Sequence, residues 1–153
     1  MPKIYYLTKN GLSKIKREYE DLKEIYRKEI FEEAPALLEG DALNPDYSFF
    51  QENIEELEKR IEELSFILKN YKIIKKPKDQ EVVNLGAKVV LKNDSDKKEE
   101  YQIVGTLEAD PFLGKISNES PLGMTFIGRK IGESIPFNDS MSYKIMKIKY
   151  EEV

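Results

Sequence analysis

The sequence predicts an α+β protein in which a long antiparallel α-helical coiled-coil hairpin precedes a small domain of sheet and helix. Two patterns carry that expectation. Apolar residues recur at alternating steps of three and four in two series: Leu12, Ile15, Tyr19, Leu22, Tyr26, and then Tyr47, Phe50, Ile54, Leu57, Ile61, Leu64, Leu68, Tyr71. Such spacing is the heptad seam of packed helices. Beyond Pro77 the apolar period falls to two, as in Val89 to Leu91 and Tyr143 to Tyr150, which is the signature of strands. The seams fold onto each other. Pairing Leu12 with Tyr71, Ile15 with Leu68, Tyr19 with Leu64, Leu22 with Ile61 and Tyr26 with Leu57 keeps the indices summing to 83, and half of that sum falls beside Asp41.

Taken in order, Thr8 reads as the N-cap of a first helix, which Pro35 ends near Ala34 because proline breaks a helix interior and disfavours helix before it. The turn holds Gly40 and Asp41. Asp46 or Asn44 can cap a second helix with Pro45 at its start. Its roughly 27 residues, running to about residue 74, would span about 40 Å at 1.5 Å per residue. The stretch KKPKDQ at 75 to 80 reads as a linker. Gly86 opens a strand through Leu91, NDSDKK at 93 to 98 is turn chemistry, and Tyr101 to Val104 returns. Ser120 and Pro121 start a helix over LGMTFIGRK that Gly128 or Gly132 closes. Ser134 to Phe137 and Tyr143 to Tyr150 close the sheet, with a bulge at Ile145 and Met146. The expected organisation is a coiled coil over residues 1–76 with its tip at about 35–46, a linker at 77–81 and a second domain over 82–153.

Composition narrows the chemistry. The 153 residues are 40% hydrophobic and 35% charged, with 25 Lys and Arg against 29 Asp and Glu, a net charge of -4 that gives no general reason for tight binding to bare nucleic acid. Cys, His and Trp are absent, which excludes disulfides, thiolate and imidazole metal sites, and every nucleophilic triad that needs His. No long apolar run supports export or membrane insertion, so a cytoplasmic protein is expected.

The charge is arranged along the hairpin. Glu29, Glu32, Glu33, Glu39, Asp41, Asp46, Glu52, Glu55, Glu56 and Glu58 follow one another with no Lys or Arg between them, whereas Lys9, Lys14, Lys16, Arg17, Lys69, Lys72, Lys75 and Lys76 gather at the base. Acidic helix faces are commonly just solvated. This polarity instead points to a tip that meets a cation or a basic cavity.

Several blocks resemble the bacterial Gre family of transcript cleavage factors. LTKNGLSKIKREYEDLK at 7 to 23 is similar to its opening motif, and Arg27, Glu29 and Ile30 to its R-P-E-I with Lys28 in place of proline. Asn44, Asp46 and Tyr47 are similar to the end of its tip motif G-D-L-S-E-N-A-E-Y. EEYQIVGTLEAD at 99 to 110, GKIS at 114 to 117, SPLGMTFIGRKIGE at 120 to 133 and YKIMKIKY at 143 to 150 match family blocks in order.

The resemblance implies that the second domain has an FKBP-like fold. It also implies an accessory factor that binds RNA polymerase, inserts the coiled coil through the secondary channel and lends tip carboxylates to a Mg²⁺ in the polymerase's own centre. Nascent RNA would be met only indirectly, at its 3′ end, and the protein would act as a monomer with no membrane partner and no cofactor of its own. Ser120, Pro121 and Leu122 would face the rim helices at the channel mouth. The tip is two residues shorter than the family pattern, one lost before Gly40 and one between Asp41 and Asn44, and the second gap removes the Glu that the family sets beside its Asp. Asp41 keeps the match and is the metal candidate; Asp46 and Glu39 are the carboxylates that could stand in. The alternatives are a non-catalytic regulator or inhibitor in the same channel, and a coiled-coil chaperone or prolyl isomerase, for which no aromatic-lined proline pocket is evident.

Overall fold

A computed structural model describes residues 3–136 and 141–151. In chain order it contains β1 (Tyr5–Leu7), α1 (Lys9–Glu32), β2 (Leu38–Glu39), β3 (Ala42–Leu43), α2 (Pro45–Lys69), β4 (Tyr71–Ile73), β5 (Ala87–Lys92), β6 (Lys98–Val104), β7 (Lys115–Ser117), α3 (Pro121–Phe126), β8 (Ser134–Pro136) and β9 (Ser142–Tyr150). Contacts divide the chain into two units. Leu12–Asn70 is one; the chain up to Gly11 and from Tyr71 onward is the other.

In the helical unit, α1 stops three residues short of Pro35, and α2 starts on Pro45 with Lys69 in its last turn, where a cation suits the helix dipole. Leu12, Ile15, Tyr19, Leu22 and Tyr26 are half-buried on α1, as are Tyr47, Phe50, Ile54, Leu57, Ile61 and Leu68 on α2, and Leu64 is fully buried. These are the residues of the two heptad series. The helices run antiparallel: the Tyr26 hydroxyl donates to Glu58 at 2.7 Å, and Arg60 makes a forked contact with Glu18 at 2.8 and 3.1 Å. Tyr19 and Tyr26 share an open groove with Ile61.

The second helix is shorter than its heptads predict. It ends at Lys69, the Asn70 N–H closes the last turn on Ile67 O, and Tyr71–Ile73 become β4, paired in parallel with β1 so that Tyr5 faces Tyr71 and Leu7 faces Ile73. The Ile74 N–H continues the pairing to Leu7 O at 2.9 Å, and both of those side chains are buried. Tyr71 is therefore a strand residue rather than the partner of Leu12. β-Branched Ile73 and Ile74 suit a strand, and burying Ile74 with Leu7 outweighs another helical turn. For the same reason the contact boundary falls at Asn70, not at residue 76.

The start of α1 belongs to this second unit. The Thr8 hydroxyl accepts the Gly11 N–H at 3.0 Å, while the Thr8 N–H and hydroxyl both donate to the Glu108 carboxylate at 2.8 and 2.5 Å. A Cβ on Gly11 would lie 2.5 Å from Glu108 Cδ. This links two of the motif blocks quoted above, the Thr-Lys-Asn-Gly turn and the Glu-Ala-Asp segment.

The sheet has the order β7-β6-β5-β9-β8, antiparallel throughout except for the parallel β6–β7 pair. One face carries Ala87, Val89, Leu91, Ile103, Tyr143, Ile145 and Ile148 into a core completed by Val83, Ile116, Ile135 and Phe126 from α3. The expected bulge is present, since Val90 pairs with Lys147 and Leu91 with Ile145, leaving Met146 unmatched. α3 has six residues, shorter than expected, and Gly128 follows it at φ 86°. The strand expected through Phe137 is seen over Ser134–Pro136, and Phe137 lies outside the described residues. On the opposite face of the sheet stand Lys88, Val90 and Lys92 of β5, Lys98, Glu100 and Gln102 of β6, and Lys144, Lys147 and Lys149 of β9. The whole is the α+β arrangement expected: a helical hairpin plus a sheet domain with one short helix.

Candidate functional site

The tip is a miniature hairpin. Leu38 pairs with Leu43 and Glu39 with Ala42, so Gly40 and Asp41 form a two-residue turn. Gly40 takes φ 66° and Asp41 does not go positive, the glycine-first pattern of a type II′ hairpin turn. Asn44 seals the base. Its N–H donates to Leu37 O at 2.9 Å, its Nδ2 to Ala36 O at 3.0 Å, and its Oδ1 accepts the Asp46 N–H at 3.0 Å. One side chain thus closes the loop and caps α2. Asp46 is not the cap; it sits in the first helical turn, where a carboxylate suits the positive end of the helix dipole.

The three sequence candidates therefore divide. Glu39 and Asp41 are exposed on the hairpin. Asp46 lines an open groove of about 330 Å³ with Glu29, Glu33, Pro35, Phe49, Phe50 and Asn53, and Lys28 Nζ lies 3.8 Å from Glu33. Among the described residues no three carboxylates gather to hold a metal. Glu39 and Asp41 share the hairpin, and one or two carboxylates are what Mg²⁺ takes when phosphate oxygens and water complete its shell. Leu37, Leu38 and Leu43, 51%, 53% and 71% exposed, flank the hairpin carboxylates. If a partner covers them, water is shed and the attraction between carboxylate and cation strengthens in the lower dielectric.

In the sheet unit, Ser120 caps α3 by accepting the Gly123 N–H at 3.0 Å, and its hydroxyl donates to Ser117 O at 2.7 Å. Leu122 packs against the core, whereas Pro121 is exposed. The surface beside this loop comes instead from residues other than Ser120, Pro121 and Leu122. Tyr6, Asn84, Leu85, Asn118, Met124 and Ile127 line a groove of about 520 Å³. Met124 and Ile127, three apart and exposed at 65% and 38%, are the one hint of it in the sequence.

Both halves of this arrangement match known families. The model described as "Transcription elongation factor, N-terminal" matches residues 5–73, and "Transcription elongation factor, GreA/GreB, C-term" matches residues 77–150. The chain belongs to the Gre family of transcription elongation factors. Transcription elongation factor GreA of Clostridium acetobutylicum is 40% identical over 96% of this chain and 98% of its own length. GreA of Acetivibrio thermocellus is 41% identical over 94% of each. Among solved structures, GreA factor homolog 1 of Thermus thermophilus aligns over 96% of this chain and 99% of its own at 21% identity and TM-score 0.42. The GreA/GreB factor from Nitrosomonas europaea aligns over 95% and 99% at 14% identity and TM-score 0.45. In this Gre-family chain Ala42 and Leu43 occupy the whole interval between Asp41 and Asn44. No helix of the described residues is long and apolar enough to cross a membrane.

Proposed function

We propose that this factor binds RNA polymerase, places its helical hairpin in the secondary channel and stimulates cleavage of backtracked nascent RNA by the polymerase's own centre. The observation that carries the reading is the presentation of Asp41 at the turn of a sealed hairpin, in a chain of the Gre family. A Mg²⁺ shared with the polymerase would supply activation of the attacking water and charge neutralisation on the phosphodiester. Asp41 would offer that ion a carboxylate oxygen, Glu39 is the nearest second carboxylate along the hairpin, and Leu37, Leu38 and Leu43 would exclude water around them once the polymerase covers them. Asp46 is assigned to the helix rather than the metal. The groove beside Pro121, Met124 and Ile127 is assigned to apolar side chains of the rim helices.

The test uses stalled elongation complexes of the cognate polymerase with Mg²⁺, scored for shortened RNA. The unmodified protein should shorten the transcript. Asp41→Asn should lose at least tenfold in rate, about 1.4 kcal/mol of transition-state stabilisation, with polymerase affinity kept. Asp46→Asn should stay within about threefold of the unmodified protein. The interval filled by Ala42 and Leu43 favours a second reading, a regulator that occupies the channel without cleavage. Binding that yields no shortened RNA at any Mg²⁺ concentration would replace the first reading with that one.

A further inference from the structure

The outward face of the five-stranded sheet is basic in a way that costs the fold something. Lys88 stands directly opposite Lys149, and Lys92 is opposite both Lys144 and Lys98 across its two neighbours. Lys147 faces Val90 between them, and Lys115 of β7, opposite Gln102, extends the face. Like charges directly opposite on adjacent strands are destabilising. Local carboxylates relieve only part of this. Lys88 reaches Glu151 at 2.6 Å and Lys92 reaches Asp96 at 3.1 Å, while Glu100 is the sole acidic residue of β5, β6 and β9 on this face. Lys98, Lys144, Lys147 and Lys149 make no ion pair among the described residues. In a chain of net charge -4 this is a segregated surface, not a reflection of overall composition.

We infer that this face binds the phosphate backbone of double-stranded nucleic acid, without regard to sequence. Lysine ammonium groups are mobile point charges that suit phosphates, and contacts to phosphate carry no sequence information. Strand geometry sets them about 4.8 Å apart between strands and about 6.8 Å apart along one, a grid of separate charges and not a pocket for a single anion. The aromatic residues of these strands point the other way: Tyr143 is buried in the core, Tyr101 lies 6.0 Å from Phe126, and the Tyr150 hydroxyl donates to Val82 O. The face thus lacks the stacking platforms that single strands use, which favours a duplex.

The full chain is titrated against a fluorescently labelled DNA duplex of arbitrary sequence, about two helical turns long, from about 50 to about 200 mM salt. Binding should be weak, with Kd on the order of 10⁻⁵ M at the lower salt, and the logarithm of the association constant should fall linearly with the logarithm of salt concentration at a slope of about -0.9 per phosphate contacted. Replacing Lys144, Lys147 and Lys149 by Thr should reduce the slope by about 2.7 and weaken binding at least tenfold. Replacing the same three by Arg should retain it. A charge-matched control, Lys14→Gln with Lys16→Gln and Lys69→Gln on the helices, should bind as the unmodified protein does. Thermal unfolding should show the Thr variant no less stable, because cross-strand repulsion has been removed. Equal losses in the Thr variant and the helix control would overturn the assignment. So would a protein that ignores the duplex while its Thr variant loses affinity for polymerase, which would assign the face to an acidic protein surface. The outcome is independent of transcript cleavage, which tests the tip.

Discussion

Gly123→Ala is the sharpest test of how the sheet unit is packed. A Cβ at that position would lie 1.9 Å from Ser117 O and 2.9 Å from Ser117 C, both backbone atoms of β7, and 3.1 Å from Ser120 Oγ. A carbon and a carbonyl oxygen in ordinary contact sit more than 3 Å apart, so α3 must retreat from β7 by more than an ångström. The retreat breaks the bond from the Ser120 hydroxyl to Ser117 O that orients the cap on the Gly123 N–H, and it loosens Phe126, which is fully buried. Loss of an N-cap costs about 1 kcal/mol, and overpacking adds about 1 to 3 kcal/mol. Alanine's better helix propensity returns up to about 1 kcal/mol. The net loss lies between about 1 and 4 kcal/mol, centred on roughly 2 to 3 kcal/mol, which is a fall of about 8 to 24 °C in the melting temperature of a unit this size. Gly128→Ala is the comparison. Gly128 has φ 86° but nothing within 4 Å of its Cβ position, so only backbone strain of about 1 to 2 kcal/mol applies. Calorimetry of the full chain should rank Gly123→Ala below Gly128→Ala. A shift under about 3 °C for Gly123→Ala, or the reverse order, would refute the close approach of α3 to β7.

Asn44→Ala removes the cap of α2 and the bond to Ala36 O together; it should cost about 1 kcal/mol in the helical unit, measured by urea unfolding, and should lower cleavage stimulation more than Asp46→Asn does. Because Ser120 holds α3 together, docking is better probed at Pro121 and Met124: Pro121→Glu with Met124→Glu should weaken polymerase binding at least tenfold in a pull-down titration while circular dichroism stays unchanged. Tyr101 gives an alkaline limit. Burial, and then the hydrogen bond to Glu99, push its hydroxyl up from 10.0 to about 12, so the folded state holds this proton more tightly than the unfolded one. Its stabilising contribution is complete below pH 10 and is lost as pH rises from about 10 to about 12. Unfolding midpoints should fall across that window, and Tyr101→Phe should flatten the fall.

The helices were legible because a heptad seam is a local, repeated signal, and the half-buried residues of α1 and α2 follow it closely. The end of α2 was not legible. Tyr71 keeps the seam spacing, yet its fate depends on pairing with Tyr5, a non-local contact that periodicity cannot register. β1 and β7 escape notice for a related reason: three residues are too short to show a period. At the tip, Gly40 and Asp41 announced the turn, but Asn44 and Asp46 were equivalent as caps on paper. The second bond from Asn44 to Ala36 O separates them. Ser120 followed by Pro121 marks a cap in the sequence and is one in the structure, while the groove beside it draws Tyr6 and Leu85 from distant segments that no single motif spans.

The parallel pair of β1 and β4 has a consequence for how the chain finds its fold. The 63 residues between Leu7 and Tyr71 are a closed loop as far as those strands are concerned, and closing an unstructured loop of that length costs roughly 4 kcal/mol on the logarithmic scale. Strands β5, β6 and β9 contain none of that loop and can assemble without it. If the two helices zip first, beginning at the short connection around Gly40, the loop shrinks before its ends must meet, and most of the closure entropy has already been lost to a favourable seam. Stopped-flow refolding should then place formation of the helices ahead of protection of the Leu7 and Ile74 amides from hydrogen exchange. Mutations that slow the seam would delay the last strand pair without touching it.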